Sequence, residues 1–288
     1  MPPMAPFDLV HPRSTDEALA ELRTASPEGV AVLAGGTDLL LDIDRARIAP
    51  RRVVSLRYLP WKFLEWSGDS LTIGSTLPLR ALEVEPRIRQ RIPGLWEAVR
   101  AVGSVALRHR ATLGGNLVRS APTSDLSPIL LALDAEVEVV GPHGSRWTPV
   151  DAFLSDSRRP RLAFGELVRA VRIPEARPSA YHWQRVRPVN DISQVGVAVA
   201  RSPSEGYYRI AVGDVLPRPV RILPAEEALR SRPPTDDEVR SAAELAGKLS
   251  PFATDRRGTE EYRRHIVAVL ARRALLAIRT AAPRGPAP

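Results

Sequence analysis

Two short segments of this chain place paired glycines beside a hydroxyl and a polar side chain: Ala34-Gly35-Gly36-Thr37-Asp38-Leu39 and Ala111-Thr112-Leu113-Gly114-Gly115-Asn116-Leu117. Each comes after an apolar stretch. Side-chain-free backbone there can turn successive N–H groups toward a diphosphate. A glycine pair is equally an ordinary turn, so the weight falls on the pairing and on the residues C-terminal to the second pair. That segment continues through Val118-Arg119-Ser120-Ala121-Pro122-Thr123-Ser124-Asp125-Leu126. Two roles are open for Asp125. It can accept hydrogen bonds from ribose hydroxyls while Thr112 and the glycine amides meet phosphate, or it can join Ser124 in capping a helix that starts near Leu126. Neither segment has GxGxxG spacing, no strand is expected to run through either motif straight into a helix, and there is no Walker lysine. A dinucleotide bound here lies between two lobes, with one glycine nest from each.

Other chemistry has little to work with. The chain contains no cysteine, which removes disulfides, thiol nucleophiles, Cys-linked flavin and any all-Cys iron–sulfur cluster held by this polypeptide. His11, His109, His143, His182 and His265 are scattered without HxH or HExxH spacing, so no metal site is expected. The formal charge of +8 comes almost wholly from arginine, with Lys62 and Lys248 the only lysines. These cations are interspersed with acids, and aromatics make up only 5% of residues, which leaves few stacking platforms and argues against nucleic acid. A hydrophobic fraction of 44% supports a substantial core or several smaller ones. No apolar run is long enough for a membrane span, the first residues lack the pattern of a secretory signal, and a cytoplasmic location is the expectation.

Elements must position the glycine segments. Ser14 and Glu17 have capping-box spacing ahead of a helix over 14–25, and Val30 to Leu33 is an apolar strand leading into the first glycine pair. Residues 52–56 read as a second strand. Residues 63–66 and 71–74 read as a hairpin turning at Gly68-Asp69. Helices are expected at 79–84, 94–102 and near 126–133, strands at 135–140 (alternating) and 166–174, and a turn at 141–144. Proline and arginine thicken over 172–188, which reads as a domain junction. Strands over 192–200 and 207–212 suggest an antiparallel sheet, followed by helices near 224–230, 236–249 and 259–277. The Pro- and Ala-rich end reads as a mobile tail.

Taken together these segments resemble one family, the FAD-binding (medium) subunits or domains of molybdenum hydroxylases, which include xanthine dehydrogenase and aerobic carbon monoxide dehydrogenase. Residues 34–39 look like that family's first pyrophosphate loop. Val102-Gly103-Ser104 and residues 107–117 look like the second, leading into Ser124-Asp125-Leu126-Ser127-Pro128 and the helix ending at Ala132-Leu133-Asp134-Ala135. Residues 211–221, 255–264 and 269–275 resemble the family's C-terminal flavoprotein domain.

The resemblance implies an α+β fold: a two-lobed FAD-binding domain of the PCMH/vanillyl-alcohol-oxidase-like type over 1–175 (lobe one about 1–58, lobe two about 59–175), then a C-terminal antiparallel sheet with helices over 176–280 and a tail at 281–288. It implies FAD, with cofactor contacts from Leu33, Ala34, Gly35, Gly36, Thr37, Asp38, Thr112, Gly114, Gly115, Asn116, Ser124 and Asp125. The main chain at Leu167 and Val168 would approach the adenine or flavin side, and Ile73 to Thr76 would lie at the flavin entrance. It further implies a [2Fe–2S] small subunit and a molybdopterin-binding large subunit as partners, in a heterotrimer that can pair into a hexamer, with NAD⁺, quinone or oxygen as electron acceptor. Three positions depart from the family pattern: His109, where many relatives carry Asn; Trp183-Gln184, where a basic residue is usual; and Gly213-Asp214-Val215, where Gly-Gly is common. These departures, with Tyr181 and His182, leave an alternative open: a stand-alone FAD oxidase or oxygenase with His109 and His182 as catalytic candidates.

Overall fold

The structure is a computed structural model that describes residues 5–24, 26–155, 160–187, 191–202, 205–215, 217–229 and 233–279. The tail read from the sequence at 281–288 lies outside the described residues. Lobe one contains β1 (Asp8–Val10), α1 (Thr15–Arg23), β2 (Val30–Leu33), α2 (Leu39–Asp44) and β3 (Arg52–Ser55). Its three strands are parallel, in the order β1-β3-β2. The α1 cap differs from the full capping box. Ser14 Oγ accepts from Glu17 N–H at 3.2 Å, but Glu17 reaches back to the N–H of Arg13 at 2.7 Å. Ala18, Leu19 and Leu22 of α1 belong to a small apolar cluster with Val54, Leu56, Leu59 and Trp61, which Val140 and Leu167 of lobe two also join.

Lobe two begins with the hairpin of β4 (Leu64–Ser67) and β5 (Ser70–Gly74). Five helices come next: α3 (Leu79–Val84), α4 (Pro86–Arg91), α5 (Pro93–Ala101), α6 (Val105–Arg108) and α7 (Leu113–Arg119). Then come α8 (Leu126–Ala132), β6 (Glu136–Gly141), β7 (Gly144–Pro149), α9 (Val150–Phe153) and β8 (Leu167–Ile173). The strands make one antiparallel sheet in the order β4-β5-β8-β6-β7. The alternation read in β6 is not an inside–outside pattern, because residues 137–141 are all buried. Glu138 tolerates this because Arg169 of the neighbouring β8 donates to it at 2.6 Å, and a buried carboxylate needs such a partner. No described helix is long and apolar enough to cross a membrane.

The stretch read as a junction contains a strand, β9 (Ser179–Gln184). It joins β10 (Val195–Arg201), β11 (Tyr208–Gly213) and β12 (Val220–Arg221) in an antiparallel sheet ordered β12-β11-β10-β9. Helices α10 (Leu223–Glu227), α11 (Asp236–Leu249) and α12 (Glu260–Ile278) complete the chain. Strand alternation divides this sheet between two cores. Val195, Val197 and Val199 pack with α11 and α12, whereas Ala198, Ala200, Ala211 and Tyr181 belong to the core of lobe two. The C-terminal sheet is therefore built into the face of lobe two that carries α5 and α8, and it steadies the segment after the second glycine pair.

Candidate functional site

The two glycine segments meet, and they are built differently. The first is a loop between β2 and α2: the strand leads into the glycine pair as expected, and the chain then continues into a short helix, which the sequence reading did not expect. Gly36 adopts φ +77°, a left-handed conformation natural to glycine. The N–H groups of Gly36, Thr37 and Asp38 donate to no acceptor among the described residues. The second glycine pair is not a loop at all, since Gly114 and Gly115 lie in the first turn of α7. Thr112 caps that helix by accepting from Gly115 N–H at 3.1 Å, and Gly114 N–H donates to the carbonyl of Ser75 at 3.1 Å. Both amides expected on phosphate thus already have acceptors within the protein.

Here glycine is required for close approach. A Cβ on Gly35 would run into the carbonyl oxygen of Arg110, and one on Gly114 would stand 2.5 Å from Ser75 Cβ. The first glycine segment is thus seated directly against lobe two, and the second is seated within lobe two against Ser75. Between them opens a cavity of about 430 Å³, within the range of small-molecule sites. Ala34 to Asp38 line it from one lobe, Thr112, Gly114, Gly115 and Asn116 from the other, and Leu167 and Val168 at a further wall.

Sequence reasoning missed several lining residues. Val32 and Leu56 are apolar positions at the ends of β2 and β3, where a cleft beside those strands would be found. Val102, Leu107, Val118 and Leu162 extend the apolar wall. Arg119 is the only cationic side chain among the described lining residues, and it bridges to Asp42 at 3.0 Å and Asp38 at 3.5 Å across the two lobes. Its place two turns after Thr112 on one helix was the available signal. Glu166 is held by Arg146, whose hydrogen bond lowers the carboxyl below its usual range. Ser75 Oγ is a buried polar atom with no hydrogen-bond partner. Free amides, a glycine cradle, an orphaned hydroxyl and long apolar walls form a donor set that fits a flavin dinucleotide.

Other anticipated residues lie elsewhere. Leu33, Ile73, Thr76, Ser124 and Asp125 do not line the cavity. Ser124 Oγ caps α8, accepting from the N–H groups of Leu126 and Ser127 at 3.3 Å, and donates to Asn116 Oδ1 at 2.6 Å. Asp125 makes no cap. Its carboxylate accepts from Tyr181 Oη at 2.8 Å, Ser193 Oγ at 2.8 Å and Arg185 at 2.9 Å, all from the C-terminal domain. Burial and the Asp125 carboxylate hold the nearby Asp214 well above the usual carboxylate range, and its Oδ1 has no hydrogen-bond partner.

The residues of the stand-alone reading do not assemble into a site. His109 is exposed at the end of α6 and does not line the cavity. Tyr181 and His182 are consecutive in β9 and so point to opposite faces. Tyr181 enters the core of lobe two, while His182 stands across from Val197 on the α12 side, where burial and Arg273 lower its pKa. Trp183 stacks on Tyr181 with ring centroids 5.8 Å apart.

Comparison with known proteins covers nearly all of the chain. The family described as the FAD binding domain in molybdopterin dehydrogenase matches residues 5–176, and the CO dehydrogenase flavoprotein C-terminal domain matches residues 179–278. The carbon monoxide dehydrogenase medium chain of Hydrogenophaga pseudoflava is 26% identical over 93% of this chain and 96% of its own length. The caffeine dehydrogenase subunit beta of Pseudomonas sp. (strain CBB1) is 30% identical over 93% of each. Among solved structures, carbon monoxide dehydrogenase from Hydrogenophaga pseudoflava lacking the Mo-pyranopterin moiety superimposes with a TM-score of 0.87 at 28% identity, covering 98% of this chain and 100% of that one.

Proposed function

Because the chain belongs to the family of FAD-binding subunits of molybdenum hydroxylases, we propose that it carries electrons from [2Fe–2S] clusters on a small partner subunit to NAD⁺, a quinone or oxygen. In this reading the organic substrate is oxidised on a molybdopterin-binding large subunit. FAD is the cofactor, and when bound its isoalloxazine supplies the exchange between two-electron and one-electron steps. The cavity between the two glycine segments is the observation that carries the reading.

The residues of this chain bind and orient. The N–H groups of Gly36, Thr37 and Asp38 offer hydrogen bonds to the diphosphate from lobe one. Thr112, Gly114, Gly115 and Asn116 face it from lobe two, the two glycines by close approach. The Leu167 and Val168 backbone takes the adenine or flavin side, and the apolar wall excludes water. Arg119 sets a positive charge among Asp38, Asp42 and Glu166, which matters for an anionic ligand. Asp125 acts at a distance from the ligand by holding the C-terminal domain against the second segment. Relatives named as a medium chain and a subunit beta support assembly with other subunits.

The test is purification of the chain in its native assembly, with iron, molybdenum and flavin quantified beside turnover. The reading expects iron and molybdenum in partner chains and bleaching of the flavin absorbance by substrate only when those chains are present. Full substrate turnover by this chain alone, free of both metals, overturns it. Bleaching by NADH as against a quinol separates the acceptors.

A further inference from the structure

Two tryptophans of lobe two each lie under a pair of guanidinium groups. Arg87 and Arg91, one turn apart in α4, stand 4.5 and 4.6 Å from the ring centroid of Trp66 in β4. Arg89, two residues from each, reaches the other way and lies 4.9 Å from the ring centroid of Trp96 in α5. Arg100, one turn beyond Trp96, covers the same ring at 4.4 Å. Both rings are half-buried against the core of lobe two, and Trp96 Nε1 donates to Glu83 O at 2.9 Å, so the platform is fixed.

Of these four arginines, only Arg91 has an ion-pair partner among the described residues, Asp69. The other acids of this face are engaged elsewhere. Glu83 is held by Arg80 at 2.9 Å and Arg108 at 2.8 Å, Glu85 accepts from the N–H of Arg87 at 3.1 Å, and Glu97 turns inward to the N–H of Tyr181 at 2.7 Å. Glu65 precedes Trp66 in β4 and so points to the opposite face. Arg89 and Arg100 are exposed. A guanidinium stacked on an indole has its flat face covered while the N–H fork at its edge stays available, and much of its side-chain freedom is already lost before a partner arrives.

We infer that this row of arginines is a docking surface for an acidic patch on a companion subunit, with Arg89 and Arg100 as the charged contacts and the two indoles as their rigid backing. This rests on the reading of the chain as one subunit of an assembly. Carboxylates present paired oxygens that match the guanidinium fork, and arginine with tryptophan is the composition of interface hot spots. Single-stranded nucleic acid fits less well, because its bases need a bare ring to stack on and both indoles lie between the core and guanidinium groups. The surface is separate from the flavin cavity, whose lining includes none of these six residues.

The test uses the full chain purified with its companion subunits: wild type, the double variant Arg89→Gln with Arg100→Gln, and Arg272→Gln, which alters an exposed arginine of α12. Subunit dissociation is followed by analytical ultracentrifugation as sodium chloride is raised, and each full chain is also melted by itself and its flavin content measured. The inference expects the double variant to dissociate with a constant about tenfold larger at low salt, the gap closing as salt rises. Melting, flavin content and the assembly of Arg272→Gln should match wild type. An unchanged dissociation constant overturns it, as does an equal loss for Arg272→Gln, which would make the effect one of overall charge. Weaker assembly with a lowered melting temperature overturns it too, because the arginines would then act through the fold. Intact assembly with lost binding of a single-stranded oligonucleotide would assign the surface to nucleic acid instead. Wild-type chain that purifies without companions overturns the subunit reading itself, whereas companions held equally by wild type and double variant overturn the docking surface alone.

Discussion

The two glycine segments look alike in sequence and do different physical work. In the first, residues 36–38 keep free N–H groups and Gly36 turns the chain at positive φ. In the second, the glycines sit in a helix with their amides engaged, and the absent side chain lets α7 press on Ser75. Their anchoring differs as well. The segment after the second pair is clamped to the C-terminal domain through Asp125, and Pro122 O accepts from Asp214 N–H at 3.1 Å. The first is steadied by backbone packing at Gly35 and by the half-exposed Arg119. One nest donates and the other supports.

Asp125→Ala tests the clamp and carries the largest expected effect. Arg185 would be left buried without its carboxylate, which costs about 3 kcal/mol or more. The loss should register in a denaturant melt, with flavin content falling only as a consequence. A variant of wild-type stability would break the contrast in anchoring.

Gly35→Ala comes next. Its Cβ meets backbone rather than a flexible side chain, so destabilisation of about 1–3 kcal/mol with loss of bound FAD is expected. Gly115→Ala sharpens the comparison. A helix gains about 1 kcal/mol from alanine over glycine, and the new Cβ at 2.9 Å from Thr112 Oγ1 strains a cap of similar worth. Stability should therefore stay within about 1 kcal/mol of wild type while FAD affinity falls. Equal destabilisation by both variants, measured by thermal unfolding beside FAD titration, would mean that the two segments are equivalent.

Asp214 gives the pH dependence. Burial first, then Asp125, raises its carboxyl, against the lowering influence of Arg257, Arg185 and Arg263. The folded state therefore keeps a proton that the unfolded chain loses above its ordinary carboxylate pKa, and stability falls as pH rises from there through the folded pKa. Asp214→Asn removes this decline and fits the positive φ of 62°. The variant should match wild type in acid and exceed it by about 1 kcal/mol near neutrality, as read from melting curves across pH. An advantage that shrinks with rising pH would reverse the sign.

Arg119→Ala should do least to the fold. The side chain is 47% exposed, and such a pair contributes less than about 1 kcal/mol, weakened further by salt. Its removal should show in the salt dependence of FAD binding before it shows in a melt.

Much of this molecule was legible from residue order. Helix 236–249, the hairpin around Gly68-Asp69 and the apolar stretch leading into Gly35 are local patterns, in which periodicity and turn chemistry act over a few residues. The glycine segments, the stretch over 124–135 and the C-terminal segments over 211–221, 255–264 and 269–275 together suggested the family and, through it, FAD. Assigning individual roles was a different matter. Asp125 reads as a cap or a ribose ligand because both depend on neighbours close in sequence, yet its partners come from residues 181–193. Ser75 lies in the 73–76 stretch that the resemblance puts at the flavin entrance, and only the fold brings it under Gly114. Tyr181 and His182 are adjacent in sequence and face different cores. The sequence by itself determined the elements and the glycine positions, since these derive from local backbone preference and motif, and it pointed to FAD through its resemblance to a family. The tertiary structure alone decided which amides stay free, which carboxylate clamps a domain and which hydroxyl is left unpaired, because hydrogen bonds are satisfied by whatever groups the packed cores bring within about 3 Å.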